Sequence, residues 1–199
     1  MAARKKALAR SPVCLITGGA SLLAEGIARA LITDGWRVIL ADIDLKTARA
    51  SAKRLGAAAT AAKLDVTKLD GVGKFVAKAV KDFGGLDGLV NGAGGQRGLG
   101  IAHKPFAEST PAEWEKIIGV NLDGVLNCIH TVLPGMMKAK RGSIVTLAAS
   151  RGYRGQANAA VHSGAKGGVL VFCQNLAAEA GPFNVRINTV LPGHAPARW

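Results

Sequence analysis

A glycine turn near the start of the chain has the residue types of an anion-binding site. The apolar run Val13–Ile16 is typical of a strand that is buried on both faces. Thr17-Gly18-Gly19 ends this run, since glycine turns tightly where a side chain would clash. Apolar residues then recur at helical spacing from Leu23 onward. Strand, glycine turn and helix together predict a phosphate-binding loop in which helix N–H groups face a dinucleotide.

A second predicted strand ends in an acid with the spacing of a ribose ligand. Asp42 closes the run that begins at Arg37, and it follows Gly18 by about two dozen residues. A carboxylate there accepts ribose hydroxyls and repels a 2′-phosphate, and neither Ser21 nor Ile43 provides a cation for such a phosphate. The predicted cofactor is therefore NAD rather than NADP. The alternative interpretation is a solvated acid at a strand end.

Strands alternate with helices along the whole chain. The strands are predicted over 13–16, 37–42, 61–66, 86–91, 142–147 and 184–190. The helices are predicted over 23–34, 46–55, 72–83, 111–137 and 159–180, with Gly119, Gly124 and Pro134 bending or interrupting the fourth. This alternation predicts an α/β fold, a doubly wound parallel sheet with the strand order 3-2-1-4-5-6.

Composition limits the remaining classes of protein. With 199 residues, 49% of them hydrophobic, we expect a single domain over 12–199 that follows a basic flexible arm over 1–11. No apolar run approaches the length of a membrane span, and the first residues lack a signal-peptide core. Cys14, Cys128 and Cys173 lie in apolar stretches without metal or disulfide spacing, which predicts reduced core thiols, no metal and a cytoplasmic location.

The net charge of +13 raises the alternative of a nucleic-acid partner. Two observations argue against it. The basic residues are spread along the chain, with one local cluster at Arg4-Lys5-Lys6, and aromatic residues make up only 5% of the sequence. Such a chain has no stacking platform for bases.

Eight motifs follow one another in a single order along the chain. They are Thr17-Gly18-Gly19-Ala20-Ser21, Leu40-Ala41-Asp42, Leu64-Asp65-Val66, Asn91-Gly92-Ala93-Gly94, Val120-Asn121-Leu122, Gly142-Ser143-Ile144-Val145, Ala165-Lys166-Gly167-Gly168, and Val185-Arg186-Ile187-Asn188 with Leu191-Pro192-Gly193. In types and order they resemble the short-chain dehydrogenase/reductase family. The resemblance implies an NAD(H)-dependent oxidoreductase that transfers hydride between nicotinamide and an alcohol or ketone.

The resemblance also implies site residues. The cofactor-binding positions are Thr17, Gly18, Ser21, Leu22, Leu23, Asp42, Asp65, Val66, Asn91, Ala93, Gly94, Lys166, Pro192 and Gly193. Of these, Asp65 and Val66 correspond to an adenine contact, and Lys166 to the lysine that binds the nicotinamide ribose. The catalytic positions are Asn121, Ser150, His162 and Lys166, with Asn121 holding a water of the proton relay.

The chain departs from the family pattern at several of these positions. Leu22 and Ala24 stand where the loop has glycines, and His162 stands where the family has its catalytic tyrosine. Ala149 stands at the catalytic serine position, with Ser150 beside it. His162 lies four residues before Lys166 and so on the same helix face, and imidazole transfers protons near neutral pH, although the positive charge of Lys166 favours its neutral form. Two interpretations remain open: an enzyme that uses His162 as general acid–base, and a catalytically impaired member that binds a cofactor or a partner.

The family pattern also predicts assembly. In this family the two long helices pair across a two-fold axis, so we expect a homodimer. Family members continue past the Pro-Gly of the sixth strand with a substrate lid and a last edge strand, whereas this sequence ends at Trp199. Two interpretations of this ending stay open: the sequence is a fragment of a longer protein, or the substrate pocket is open.

Overall fold

A computed structural model describes residues 10–192, with Arg97 described in its backbone alone. The strands are β1 (Val13–Thr17), β2 (Arg37–Asp42), β3 (Ala59–Lys63), β4 (Gly88–Asn91), β5 (Gly142–Leu147) and β6 (Val185–Val190). The helices are α1 (Leu22–Thr33), α2 (Leu45–Leu55), α3 (Leu69–Phe83), α4 (Pro111–Ile118), α5 (Gly124–Lys138), α6 (Ser150–Arg154) and α7 (Ala160–Ala180).

All six strands pair in parallel, in the order β3-β2-β1-β4-β5-β6, which confirms the predicted doubly wound sheet. Side chains alternate between the two faces of β1. Val13 and Leu15 join the core under α3, α5 and α7, while Cys14 and Ile16 join the core under α1. Because both faces are covered, the central strands are apolar along most of their length, and polar residues, Thr17 and Asn91, stand only at their carboxyl ends.

The third strand lies earlier than predicted. It covers Ala59–Lys63 rather than 61–66, because Asp42, where β2 ends, is paired with Lys63. Beyond this point the Asp65 carboxylate accepts the N–H and the hydroxyl of Thr67 and turns the chain away from the sheet. Asp65 and Val66 therefore lie in a loop at the carboxyl edge.

The fourth predicted helix is divided, as its glycines indicated. Thr110 and Glu113 form a capping box at the start of α4, and a π-helical turn, Gly119–Asp123, separates α4 from α5. Pro134 lies inside α5 without ending it. The stretch Pro111–Lys138 is, contrary to the sequence prediction, long and apolar enough for a membrane span by length and composition. Length and composition alone are weak evidence for a membrane span, because the core helices of soluble proteins pass the same test.

Two further features differ from the sequence predictions. The short helix α6 packs on α7 so closely that a Cβ on Gly152 would lie 2.8 Å from the Gly167 nitrogen. Most of the predicted basic arm lies outside the described residues. Its residue Arg10, however, pairs with Asp87 at 2.8 Å and donates to the Gly84 carbonyl, so this end of the arm is part of the folded domain.

Candidate active site at the carboxyl edge of the sheet

The hydroxyl of Thr17 joins the two central strands where they end. It accepts the N–H groups of Gly92 and Ala93, each at 3.2 Å. Gly18 follows with φ +71°, and a Cβ there would lie 2.6 Å from the Gly92 carbonyl oxygen. Glycine is therefore required at this position, since a side chain would both strain the backbone and push the two loops apart. The two loops form the floor of a cleft between β1 and β4, the point where the strand order reverses.

Helix α1 begins directly behind this loop. Ser21 caps it, because its hydroxyl accepts the Ala24 N–H at 3.2 Å and donates to the Gly18 carbonyl at 2.9 Å. The N–H groups of Leu22 and Leu23 belong to the first helical turn, where no intrahelical acceptor exists. These N–H groups are available to an anion, and the binding of a phosphate there stays a prediction.

The two leucines at this helix end face away from the core. The Leu22 side chain is 48% exposed and the Leu23 side chain 41%. Ala24, which replaces the other expected glycine, is buried against the sheet at no evident cost. Of the two departures in the loop, only Leu22 thus adds a large exposed side chain at the start of α1, where the phosphate is expected.

Asp42 already holds the glycine loop in place. One carboxylate oxygen accepts the Ala20 N–H at 3.0 Å, and the other accepts the Asp44 N–H at 2.9 Å. A carboxylate has about four acceptor positions, so two remain for ribose hydroxyls. The residues of the cleft therefore fit an adenosine ribose without a 2′-phosphate.

The other predicted cofactor residues lie at the same edge but differ in accessibility. Val66 is buried and packs on Gly124, where a Cβ would lie 2.6 Å from its side chain. Asn91 is also buried. Its side-chain Nδ2 donates to the Thr146 hydroxyl at 3.2 Å, while its side-chain Oδ1 has no partner among the described residues. Ala93 is half-buried at the exit of β4.

Asn121 connects the π turn to the loop after β4. Its Oδ1 accepts the Gly95 N–H at 2.8 Å, and its Nδ2 donates to the carbonyls of Gly95 and Ile117, both at 2.9 Å. A Cβ on Gly94 would lie 2.8 Å from Asn121 Oδ1 and 3.1 Å from Lys166 Nζ. Glycine at 94 thus lets the loop pass over both side chains.

Lys166 is buried, with 5% of its surface exposed, and its Nζ donates to the Leu147 carbonyl at 2.8 Å. Burial lowers the pKa of Lys166 from its ordinary value to about 8, because a charged ammonium loses its hydration there. The group is still mostly protonated at neutral pH. It therefore provides a positive charge beside the cleft.

His162 lies one helical turn before Lys166 and is 8% exposed. Its Nδ1 has no hydrogen-bond partner within the described part of the chain. Burial, and then the positive charges of Lys166 and Arg151 and the neighbouring His103, lower the pKa of His162 to about 4. Neutral imidazole is consequently the form present at pH 7, as the sequence predicted.

The region after β5 contains no serine that faces this pair. Ala149 precedes α6 in an extended conformation, and Ser150 is the exposed first residue of that helix. Tyr153 is 75% exposed. Pro192 is the last described residue, and Gly193 lies outside the described residues.

Two neighbours of His162 were missed at the sequence level, namely Arg151 and His103. Both contribute to the low pKa of His162. No motif contains them, and only the packing of α6 on α7 and the loop after β4 bring them near the helix. Within residues 10–192, no cluster of three or more His, Cys, Asp or Glu side chains could hold a metal ion.

Comparison with solved structures identifies enzymes of closely similar shape. The chain superposes on a 3-ketoacyl-(acyl-carrier-protein) reductase from Brucella melitensis complexed with NADH, with a TM-score of 0.88, 28% identity and coverage of 94% of this chain and 78% of that one. It superposes on an NAD+-bound xylitol dehydrogenase with a TM-score of 0.86, 29% identity and coverage of 94% and 72%.

Comparison of sequences agrees. The chain is 37% identical to the short-chain dehydrogenase/reductase ABA4 of Pyricularia oryzae, covering 89% of this chain and 66% of that protein. It is 33% identical to galactitol 2-dehydrogenase of Agrobacterium fabrum, with 91% and 69% covered. The chain thus spans about two thirds of the length of these relatives. The family model for short chain dehydrogenases matches residues 12–197, and the chain belongs to this family of oxidoreductases.

Proposed function

We propose that this chain is an NAD(H)-dependent oxidoreductase that interconverts an alcohol and a ketone. The observation that carries the proposal is the convergence of Asn121, Lys166 and His162 at the carboxyl edge of the sheet, beside the glycine loop. The NADH and NAD+ bound to the two structural neighbours support the choice of cofactor, and the sugar-alcohol relative supports the substrate class.

The residues of the cleft have separate tasks in holding the cofactor. The N–H groups of Leu22 and Leu23 would bind the pyrophosphate, and Asp42 the adenosine ribose. Lys166 would bind the nicotinamide ribose. When bound, NAD(H) supplies the acceptor or donor of a hydride, and the protein manages the accompanying proton.

His162 is the proposed proton acceptor for the alcohol. Its imidazole is neutral at pH 7, and its Nδ1 has no partner in the described part of the chain. Neutral imidazole accepts a proton when an alcohol is oxidised, whereas ketone reduction requires the protonated form, which is scarce at that pH. We therefore expect slow turnover, with oxidation less impaired than reduction. The charge of Lys166 would stabilise an alkoxide that develops in the site.

Restoring the family's side chains tests this role. His162→Tyr with Ala149→Ser supplies a tyrosine and a hydroxyl at the predicted positions, and we expect the rate of ketone reduction to rise about a hundredfold. NADH oxidation over a panel of ketones measures the rate. Adding Leu22→Gly should raise it further by clearing the pyrophosphate position. Rapid ketone reduction by the unmodified chain would contradict the expectation that reduction is more impaired than alcohol oxidation.

A catalytically impaired, cofactor-binding protein is the second candidate function. The bulk of Leu22, the missing hydroxyl at Ala149 and the low pKa of His162 favour it. Calorimetric titration with NADH distinguishes the two functions. Saturable binding with no turnover, unchanged by His162→Ala, would support the impaired protein over the enzyme.

We further propose a homodimer in the cytoplasm. Helix α7 exposes the small residues Ala160, Gly164 and Gly168 at every fourth position, followed by the apolar Val171. Small residues allow two helices to approach closely.

The cytoplasmic location rests on the cysteines. Cys14, Cys128 and Cys173 are free and buried, and burial raises the pKa of Cys14 and Cys128 to about 12, which suits unreactive thiols in a reducing compartment.

A further inference from the structure

A groove lies at the opposite end of the sheet, where the strands begin. It runs between α3 and α5 and encloses about 170 Å³. Its walls are largely apolar, with Val76 and Val80 on α3 and Val132 and Met136 on α5. Gly135 forms part of the α5 wall, and a Cβ there would meet no atom within 4 Å. The groove is therefore unfilled next to Gly135, and it lies at the opposite end of the sheet from the candidate active site.

The mouth of this groove carries an excess positive charge. Asp87 is buried, and both Arg10 and Arg141 pair with it. Two guanidinium groups against one carboxylate leave one positive charge uncompensated. Arg141 is about half exposed, and among residues 10–192 its Nε and Nη1 have no hydrogen-bond acceptor. A guanidinium with donors to spare suits a carboxylate, which accepts charge-assisted N–H bonds from it.

We propose that the groove binds a small apolar monocarboxylate, about the size of benzoate, with its ring between α3 and α5 and its carboxylate on Arg141. The size follows from the volume, because an apolar protein cavity of about 150 Å³ accommodates benzene. The apolar walls stabilise the ring by excluding water from it. The uncompensated guanidinium charge selects an anion over a neutral or cationic analogue.

Titration of the whole chain with benzoate, benzyl alcohol and benzylamine, without NAD(H), tests the site. We expect benzoate to bind about tenfold more tightly than benzyl alcohol, since a charge-assisted pair is lost in the alcohol. Benzylamine should bind least. Isothermal calorimetry measures the affinities, and ligand-induced shifts in backbone amide resonances of α3 and α5 locate the site. Equal affinity for benzoate and benzylamine, or no benzoate binding at millimolar concentration, would overturn the proposal.

Two pairs of variants separate shape from charge. Gly135→Leu fills the groove, and leucine is a better helix former than glycine, so the fold should be retained. It should abolish benzoate binding, while Gly26→Leu on α1, also at an open glycine, should leave it unchanged. Arg141→Gln should reduce the affinity for benzoate to that for benzyl alcohol, whereas Lys138→Gln should not.

Either pair of variants can by itself contradict the proposal. Benzoate binding that survives Gly135→Leu would mean that the anion binds elsewhere. Binding that is unaffected by Arg141→Gln would mean that its charge does not recognise the ligand. Because no cofactor is present in the assay, neither result depends on whether the chain is an active oxidoreductase.

Discussion

Single side chains at the carboxyl edge of the sheet each serve the backbone as well as the proposed chemistry. Asp42 binds two backbone N–H groups of its own neighbourhood, and Asn121 binds three backbone groups on two segments. Replacing such residues therefore affects structure and function together. Tests at this scale need a control that isolates one effect.

Cofactor choice is a prediction about Asp42. We expect NAD(H) to bind more tightly than NADP(H), since the carboxylate repels a 2′-phosphate. Asp42→Asn keeps an acceptor for the Ala20 N–H and removes the charge, so the preference should fall by about tenfold or more. Calorimetric titration of the unmodified chain and of Asp42→Asn with NADH and with NADPH measures this preference. Equal affinities in the unmodified chain would refute the assignment.

The buried His162 predicts loss of stability in acid. Its pKa is about 4 in the folded chain and ordinarily 6.5, so the unfolded chain takes up a proton first as the pH falls. Stability from this group is full above pH 6.5 and is lost towards pH 4, by about 3 kcal/mol in all.

His162→Tyr should remove this contribution, because tyrosine stays neutral throughout that range. Urea unfolding at pH 7.5, 6, 5 and 4 measures the free energy of unfolding for both proteins. The informative quantity is the difference between them, since carboxylates titrate in both. A constant difference from pH 7.5 to 4 would show that His162 is solvated in the folded chain.

At the scale of elements, the π turn is what brings the catalytic candidates together. Gly119–Asp123 separates α4 from α5, and the side chain of Asn121 within this turn ties it to the loop after β4. The glycine at 94 lets that loop lie against Asn121 and Lys166. The π turn, the loop after β4 and helix α7 are therefore held against one another at this point.

Asn121→Ala tests this arrangement. It leaves the N–H and carbonyl of Gly95 and the carbonyl of Ile117 without this partner in a buried place, which should lower the free energy of unfolding by about 2–4 kcal/mol. Asn175→Ala is the matched control, since Asn175 makes one exposed bond to the Val171 carbonyl and should change stability by less than about 0.5 kcal/mol. Chemical denaturation measures both. Similar small effects would mean that Asn121 does not hold the loop.

For the whole molecule, we predict assembly through helix α7. The small side chains along α7 face outward in the single chain, so an isolated molecule leaves that face in water. We expect a dimer at micromolar concentration, with Gly164→Arg shifting it to monomer because a long charged side chain prevents close helix approach. Gly26→Arg on α1 should leave the dimer intact. Light scattering after size-exclusion chromatography gives the mass, and a monomeric unmodified chain would contradict the proposal.

The sequence by itself determined the order of the elements and hence the fold. Buried parallel strands are apolar along their length, and short turn signals separate them from helices, so β1, β2 and β5 could be located from the residues alone. The right-handed crossover rule then restricts the strand order. The third strand was misplaced, because alanine carries little strand preference and pairing with β2 decides where it ends.

The site was predictable only in part, for a related physical reason. Local spacing puts His162 and Lys166 on one helix face and glycines in the first loop. Contacts between residues distant in sequence needed the tertiary structure: the Thr17 hydroxyl on the loop after β4, the three hydrogen bonds of Asn121, and the approach of Arg151 and His103 to His162. The pKa values of His162 and Lys166 depend on burial, which packing decides and which spacing along the chain does not contain.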